Sequence, residues 1–188
     1  DAATGTGAQT TTADYPFAYI QDAAGGWNFI LRAFLLFDTS IISADSITSA
    51  ILSIRGTLKG DGGSRAPEID IFTSTPANTN NIVTADYDQV GTTSQTGSPI
   101  TYANWSTTGF NDLTFNATGR GNISKTGISK FGSRESKYDA ANIEPSVNQN
   151  SMRMDGYYAD QAGTSDDPKL VVVHSAAVRR RSFPLWLN

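Results

Sequence analysis

Residues 32–54 constrain the fold more than any other stretch, because they read as two β-strands joined by a short linker. Phe34, Leu35, Leu36 and Phe37 form a continuous apolar run. It stops at Asp38, Thr39 and Ser40, where a turn-forming carboxylate is followed by two hydroxyls. After residues 41–45 a second strand begins. On an extended backbone Ile47, Ser49, Ile51, Ser53 and Arg55 share one face, and Thr48, Ala50, Leu52, Ile54 and Gly56 share the other. Neither face is strongly polar before Arg55, which predicts a strand in the middle of a sheet. A surface helix would carry charges between apolar positions three and four apart, and no charge stands between Ser46 and Ile54.

The rest of the chain repeats this grammar of short strands and turn signals. Strands are expected over 15–20, 68–74, 100–105, 109–116, 127–134, 151–159 and 169–174, the last as a buried strand because Leu170, Val171, Val172 and Val173 are contiguous. Residues 22–28 read as a Gly-Gly loop carrying Trp27, and 59–67 as a Gly-rich loop. Thr84, Ala85, Asp86 and Tyr87 read as a capped helical turn. Residues 117–124 make a short helix at best, because Gly119 and Gly121 weaken it. Residues 138–150 are a polar connection. Regularly spaced turns without a long helix predict an all-β sandwich with short helical turns in its connections.

Three parts follow. Residues 1–14, mostly Ala, Thr and Gly, read as a flexible or extended arm, 15–174 as the sandwich, and 175–188 as an appendage. At 188 residues one domain with a sizeable core is the default. The start lacks a basic-then-apolar signal peptide, and Asp1 suits a processed or truncated chain.

The residues opening at Arg32 also carry a resemblance. The pattern Arg-x-Phe-Leu-x-Phe-Asp-Thr-Ser, a spacer, then Ile-x-x-Ala-x-Leu-x-Ile resembles the disaggregatase-related (DNRLRE) domain. So do Asp70-Ile71-Phe72 up to Pro76, Ala103-Asn104-Trp105-Ser106, residues 111–116, Phe131-Gly132-Ser133-Arg134 and residues 167–172. The likeness runs from about Arg32 to His174. It implies a β-jelly-roll, a place among carbohydrate-binding modules and contact with polysaccharide. Its motifs are structural, so they specify a fold better than a ligand. It also implies that a strand preceding this region in relatives is missing here.

Composition narrows the chemistry. Charged residues are 17% of the chain, against roughly 25% in an average soluble domain. Ser, Thr, Asn and Gly take their place, a surface common on extracellular and virion proteins of all-β class. The absence of cysteine excludes disulfides and thiolate chemistry. A net charge of -4 without a basic face argues against nucleic acid. No run reaches the roughly 18 apolar residues of a membrane span.

Catalytic patterns are weak. Any Ser-His-Asp arrangement must use His174, the single histidine, and there is no Gly-x-Ser-x-Gly elbow. Zinc would have one histidine and otherwise only carboxylates. The loop acids Asp61, Glu68, Asp70, Asp139, Glu144, Asp160, Asp166 and Asp167 read as solvated surface groups, and a glycosidase pair among them is the unspecific alternative. Structural calcium fits Asp160, Asp166 and Asp167 best, and Asp61 with Glu68 second.

Binding patterns are better marked. Trp27, Tyr157 and Tyr158 are the candidates for stacking on a sugar ring, whereas Trp105 matches the family pattern and reads as packing. In the appendage, Arg179, Arg180 and Arg181 suit an acidic patch, and Phe183, Leu185 and Trp186 suit an apolar groove. That tail is expected to dock on a neighbouring subunit or its own body. The expectation is a non-catalytic surface structural or adhesion module, such as a fibre, decoration or filament subunit, that self-assembles and contacts glycans. A free-standing carbohydrate-binding module of a polysaccharide-degrading enzyme is the alternative, and a glycosidase or lyase the third reading.

Overall fold

The computed structural model describes residues 7–9, 13–23, 26–145 and 150–176. They form ten strands: β1 (Asp14–Ala23), β2 (Gly26–Asp38), β3 (Ser46–Asp61), β4 (Glu68–Ser74), β5 (Val90–Ser94), β6 (Ile100–Thr101), β7 (Phe110–Thr114), β8 (Ile128–Glu135), β9 (Ser151–Tyr157) and β10 (Lys169–Ser175). The helical pieces are short: 3-10 turns at Ser40–Ile42 and Thr84–Gln89, the helix α1 (Ala117–Gly121) and a wide turn at Ser136–Ala140.

Every strand pairing is antiparallel. The order is β10-β3-β9-β1-β2-β8-β4-β5, with β6 on β4 and β7 on β3. The sheet curls over itself into a jelly-roll-like sandwich because its two longest strands each serve two neighbourhoods. The first part of β2 pairs with β1, and from Ala33 to Asp38 it pairs with β8. β3 lies between β10 and β7 as far as Arg55, then pairs with β9 from Gly56 onward. The middle position expected for residues 47–54 is the one observed.

Alternation builds the core. Ala50, Leu52 and Ile54 of β3 face Ala33 and Leu35 of β2, Ile69 and Ile71 of β4, and Phe131 of β8, all buried. Trp105 is 2% exposed and belongs to the same cluster. The turn after β2 is pinned by Thr39, whose hydroxyl bonds the Ser124 carbonyl and Ser129 Oγ, each at 2.6 Å. Asp38 accepts the Ser40 N–H at 3.0 Å, as its turn-forming chemistry requires. Asp86 stabilises the 3-10 turn at Thr84–Gln89 by accepting from the backbone of Ala77 and Val83.

Several local expectations need correction: the strand expected over 100–105 is only Ile100–Thr101, and the first residues of the loop expected over 59–67 belong to β3, which runs to Asp61. Trp27 is not in a loop: it lies on β2 opposite Asp22, because β2 begins at Gly26. β10 is not a buried strand. It sits at the sheet edge, with Leu170 and Val172 packed inward and Val171 and Val173 55% and 54% exposed. Contiguous apolar residues on a strand alternate between faces, and the outer face here has no covering layer among the described residues.

One feature of the pairing positions the site. β1 parts from β2 beyond the Ala18–Arg32 pair and stays on β9 as far as Asp14. Pro16, which has no N–H to offer a second neighbour, sits at this fork beside a register shift. From Ala33 onward β2 pairs, among the described residues, only with β8.

Candidate functional site

A cleft of about 850 Å³ opens at that fork. Its long wall is β2 from Trp27 to Phe37. Tyr15 and Pro16 of β1, Tyr158 and Asp160 after β9, Pro168 before β10, residues 78–83, Tyr87 and residues 7–9 complete it. The sequence explains the apolar wall: once β1 has left, Phe34, Leu36 and Phe37 border the gap and are only half-buried. Toward the start of β2, Trp27 is half-buried and Phe29 is 42% exposed, its ring meeting Tyr19 edge-on at 5.6 Å. Asn28 donates to Gln21 Oε1 at 3.0 Å, and Asn78, Asn80 and Asn81 are exposed. Flat apolar rings beside amides suit contact with a sugar or an extended peptide.

Beneath the cleft lies a buried ionic network. Asp139 takes two guanidinium groups at once. Arg32 donates through Nε at 3.0 Å and Nη2 at 2.7 Å, and Arg134 through Nε at 2.9 Å and Nη2 at 2.7 Å. The three side chains are 1%, 4% and 1% exposed for Arg32, Arg134 and Asp139. Arg32 also lies over the Tyr87 ring at 4.1 Å, and Asp88 stands 3.6 Å from its Nη1. Burial works against the Arg32 charge, but Asp139 outweighs it and holds the guanidinium protonated above its ordinary range. Glu135 accepts from the backbone N–H groups of Glu68, Lys137, Tyr138 and Asp139 and so shapes the turn that presents Asp139. Burial nevertheless raises its pKa. Burial likewise raises the Tyr87 phenol, and Arg32 partly offsets that.

This network was not evident in the residue pattern. Its arginines open and close motifs of the stated resemblance, but Asp139 reads there as a solvated loop acid. The structure overturns that reading for Asp139, and for Asp70, which is 3% exposed and bonds the Thr96 hydroxyl. Both carboxylate oxygens of Asp139 accept from guanidinium groups, and Asp70 accepts through Oδ1 from the Ile71 N–H and the Thr96 hydroxyl.

Of the residues singled out for sugar contact, the cleft gathers Trp27 and Tyr158. Tyr158 is already committed to packing: its ring stacks on Phe17 at 4.3 Å, its hydroxyl donates to the Pro16 carbonyl at 3.2 Å, and burial pushes its phenol strongly up. Tyr157 ends β9 opposite Asp14 and does not border the cleft. Asp160, Asp166 and Asp167 do not converge. Asp160 borders the cleft, Asp166 stands 3.6 Å from Arg55 Nε, and Asp167 accepts from Gln161 at 3.2 Å. Asp61 accepts the N–H groups of Arg65 and Ala66, and Glu68 is bound through its backbone N–H to Glu135. Among the described residues no three Asp, Glu or His side chains form a metal-ligand group. His174 is paired with Asp45 at 2.7 Å. Arg179, Arg180, Arg181, Phe183, Leu185 and Trp186 lie outside the described residues.

No protein-family model matches the chain, and no curated protein matches it.

Proposed function

We propose that this chain is a non-catalytic structural or adhesion module on the outside of a cell or virus particle, a fibre, decoration or filament subunit that works by contact and touches glycans. The observation carrying this reading is the cleft, where the half-buried Trp27 and the exposed Phe29 stand beside Asn28 at one end. A ring face buries the apolar C–H face of a sugar, and amides serve its hydroxyls. The low charge and the abundance of Ser, Thr, Asn and Gly support an exterior setting. The buried charged groups around the cleft support the non-catalytic part, because Asp139 is saturated by two arginines and Glu135 by four backbone donors.

A glycan array tests it. The chain should be retained on a defined set of glycans, and Trp27→Ala should weaken retention about tenfold, the effect of losing one central stacked ring. Retention indifferent to Trp27→Ala, or none at all, would contradict glycan contact at this end of the cleft.

A further inference from the structure

We propose that Asn104 is an N-glycosylation site, the one of the chain's three sequons that the fold leaves open to carry a saccharide. This goes beyond the function proposed above and rests on its exterior setting, because a chain meets the saccharide donor on its way out of a cell.

The sequons are Asn104-Trp105-Ser106, Asn116-Ala117-Thr118 and Asn122-Ile123-Ser124. A saccharide replaces one of the two hydrogens on Nδ2 and fills the space beyond it. The acceptor in a folded chain therefore needs an amide that stands in solvent and holds no neighbour through its hydrogens. Asn116 is half-buried and fails this test. Its Nδ2 donates to the Ser94 carbonyl at 3.2 Å and the Thr96 carbonyl at 2.7 Å, which uses both hydrogens. Its Oδ1 accepts the Gly119 N–H at 2.8 Å and caps α1. Asn122 donates through Nδ2 to Gln95 Oε1 at 2.7 Å, and Gln95 is itself buried, so this amide is pinned to the body of the domain. Asn104 passes. It is exposed in the turn between β6 and β7, and its side chain makes no hydrogen bond among the described residues.

The same turn sets when the saccharide is added. Lys59 Nζ donates to the carbonyls of Tyr102 at 2.8 Å and Trp105 at 2.9 Å, and the Trp105 side chain belongs to the core. Asn111 accepts the Ser106 N–H at 2.8 Å and donates to the Ser106 carbonyl at 2.9 Å. With Trp105 and Ser106 held this way, the folded domain does not release the tripeptide to an enzyme that must read the Ser106 hydroxyl as well as the Asn104 amide. Addition therefore precedes closure of the turn. In the step, Asn104 Nδ2 bonds the anomeric carbon of a saccharide carried on a polyprenyl phosphate. The bond from that carbon to the phosphate oxygen breaks, the phosphate keeps the electron pair, and the amide proton passes to a base of the transferring enzyme.

The full chain secreted from an N-glycosylating host tests this. Enzymatic release of the glycans in heavy-oxygen water converts each occupied Asn to labelled Asp, and peptide mapping reads all three sites. The label should appear at 104 and be absent at 116 and 122 in the folded, secreted fraction. Asn104→Gln should abolish the glycan mass shift and leave the melting temperature unchanged, since that side chain holds nothing in place. Folded chain made without glycans should resist the transferase and its lipid-linked donor, whereas a synthetic peptide of residues 100–109 should be modified. An unlabelled Asn104 overturns the proposal, as does a folded fraction labelled at 116 or 122. Modification of the folded chain as readily as the peptide overturns addition before folding. A bare Asn104 leaves glycan contact at the cleft untouched, and a glycosylated chain that retains no polysaccharide sinks that contact alone.

Discussion

Replacing Asp139 with alanine should lower the unfolding free energy by about 3–5 kcal/mol, the usual loss when one partner of a buried ion pair is removed. Domains of this kind have roughly 5–15 kcal/mol in hand, so the variant should lose between about a fifth of its stability and all of it. The reason is charge count. Arg32 and Arg134 both aim Nε and Nη2 at one carboxylate, and without it two guanidinium groups face each other in a site closed to water. Asp139→Asn should be nearly as damaging, since its amide turns a donor toward guanidinium donors. Asp88 provides the control. It is 3.6 Å from Arg32 with its side chain 44% exposed, and Asp88→Ala should change stability by less than about 0.5 kcal/mol. Urea unfolding with an unchanged slope reads these differences. A loss below about 1 kcal/mol for Asp139→Ala would mean that the arginines find other partners.

Gly56→Ala should be comparably severe, at about 3 kcal/mol or more, through overpacking. Gly56 faces Gly156 where β3 passes from β7 to β9. A Cβ there would stand 2.0 Å from the Ser106 carbonyl oxygen and 2.9 Å from Trp105 Nε1. The Ser106 loop is held in place by Asn111, which accepts from the Ser106 N–H at 2.8 Å and donates to its carbonyl at 2.9 Å. The carbonyl therefore has little room to retreat, and relief requires β3 to move from the loop that seats Trp105. Gly60→Ala, four residues along the same strand, is the contrast. Its nearest neighbour is the flexible Arg153 side chain at 3.3 Å, so the change should lie within about 0.5 kcal/mol of neutral. Thermal melts of the two variants check this, and equal melting temperatures would contradict it.

The strands were legible where a period of two carries both identity and orientation. Ala50, Leu52 and Ile54 announce a buried face, and β4 runs from Glu68 to Ser74 as its alternation and the following Pro76 imply. Periodicity does not say what covers a face. Leu170 to Val173 look the same in sequence whether the strand is central or at an edge, and only the pairing order shows Val171 and Val173 in solvent. Gly25 and Gly26 before Trp27 resemble a loop, yet Gly26 opens β2 and carries Trp27 onto the cleft wall. The ionic network was illegible for a different reason: Arg32 and Asp139 are 107 residues apart, and nothing local to either specifies the other. The cleft itself depends on where β1 stops following β2 while its other edge stays on β9, a parting that falls beside Pro16, which has no N–H for a second neighbour.

That this molecule acts by contact is tested most directly on a panel of soluble polysaccharides incubated with the purified chain and assayed for new reducing ends and for unsaturated sugars. The account predicts polysaccharide retained by the chain with no product accumulating above a protein-free control. Product that grows with chain concentration and time would contradict it.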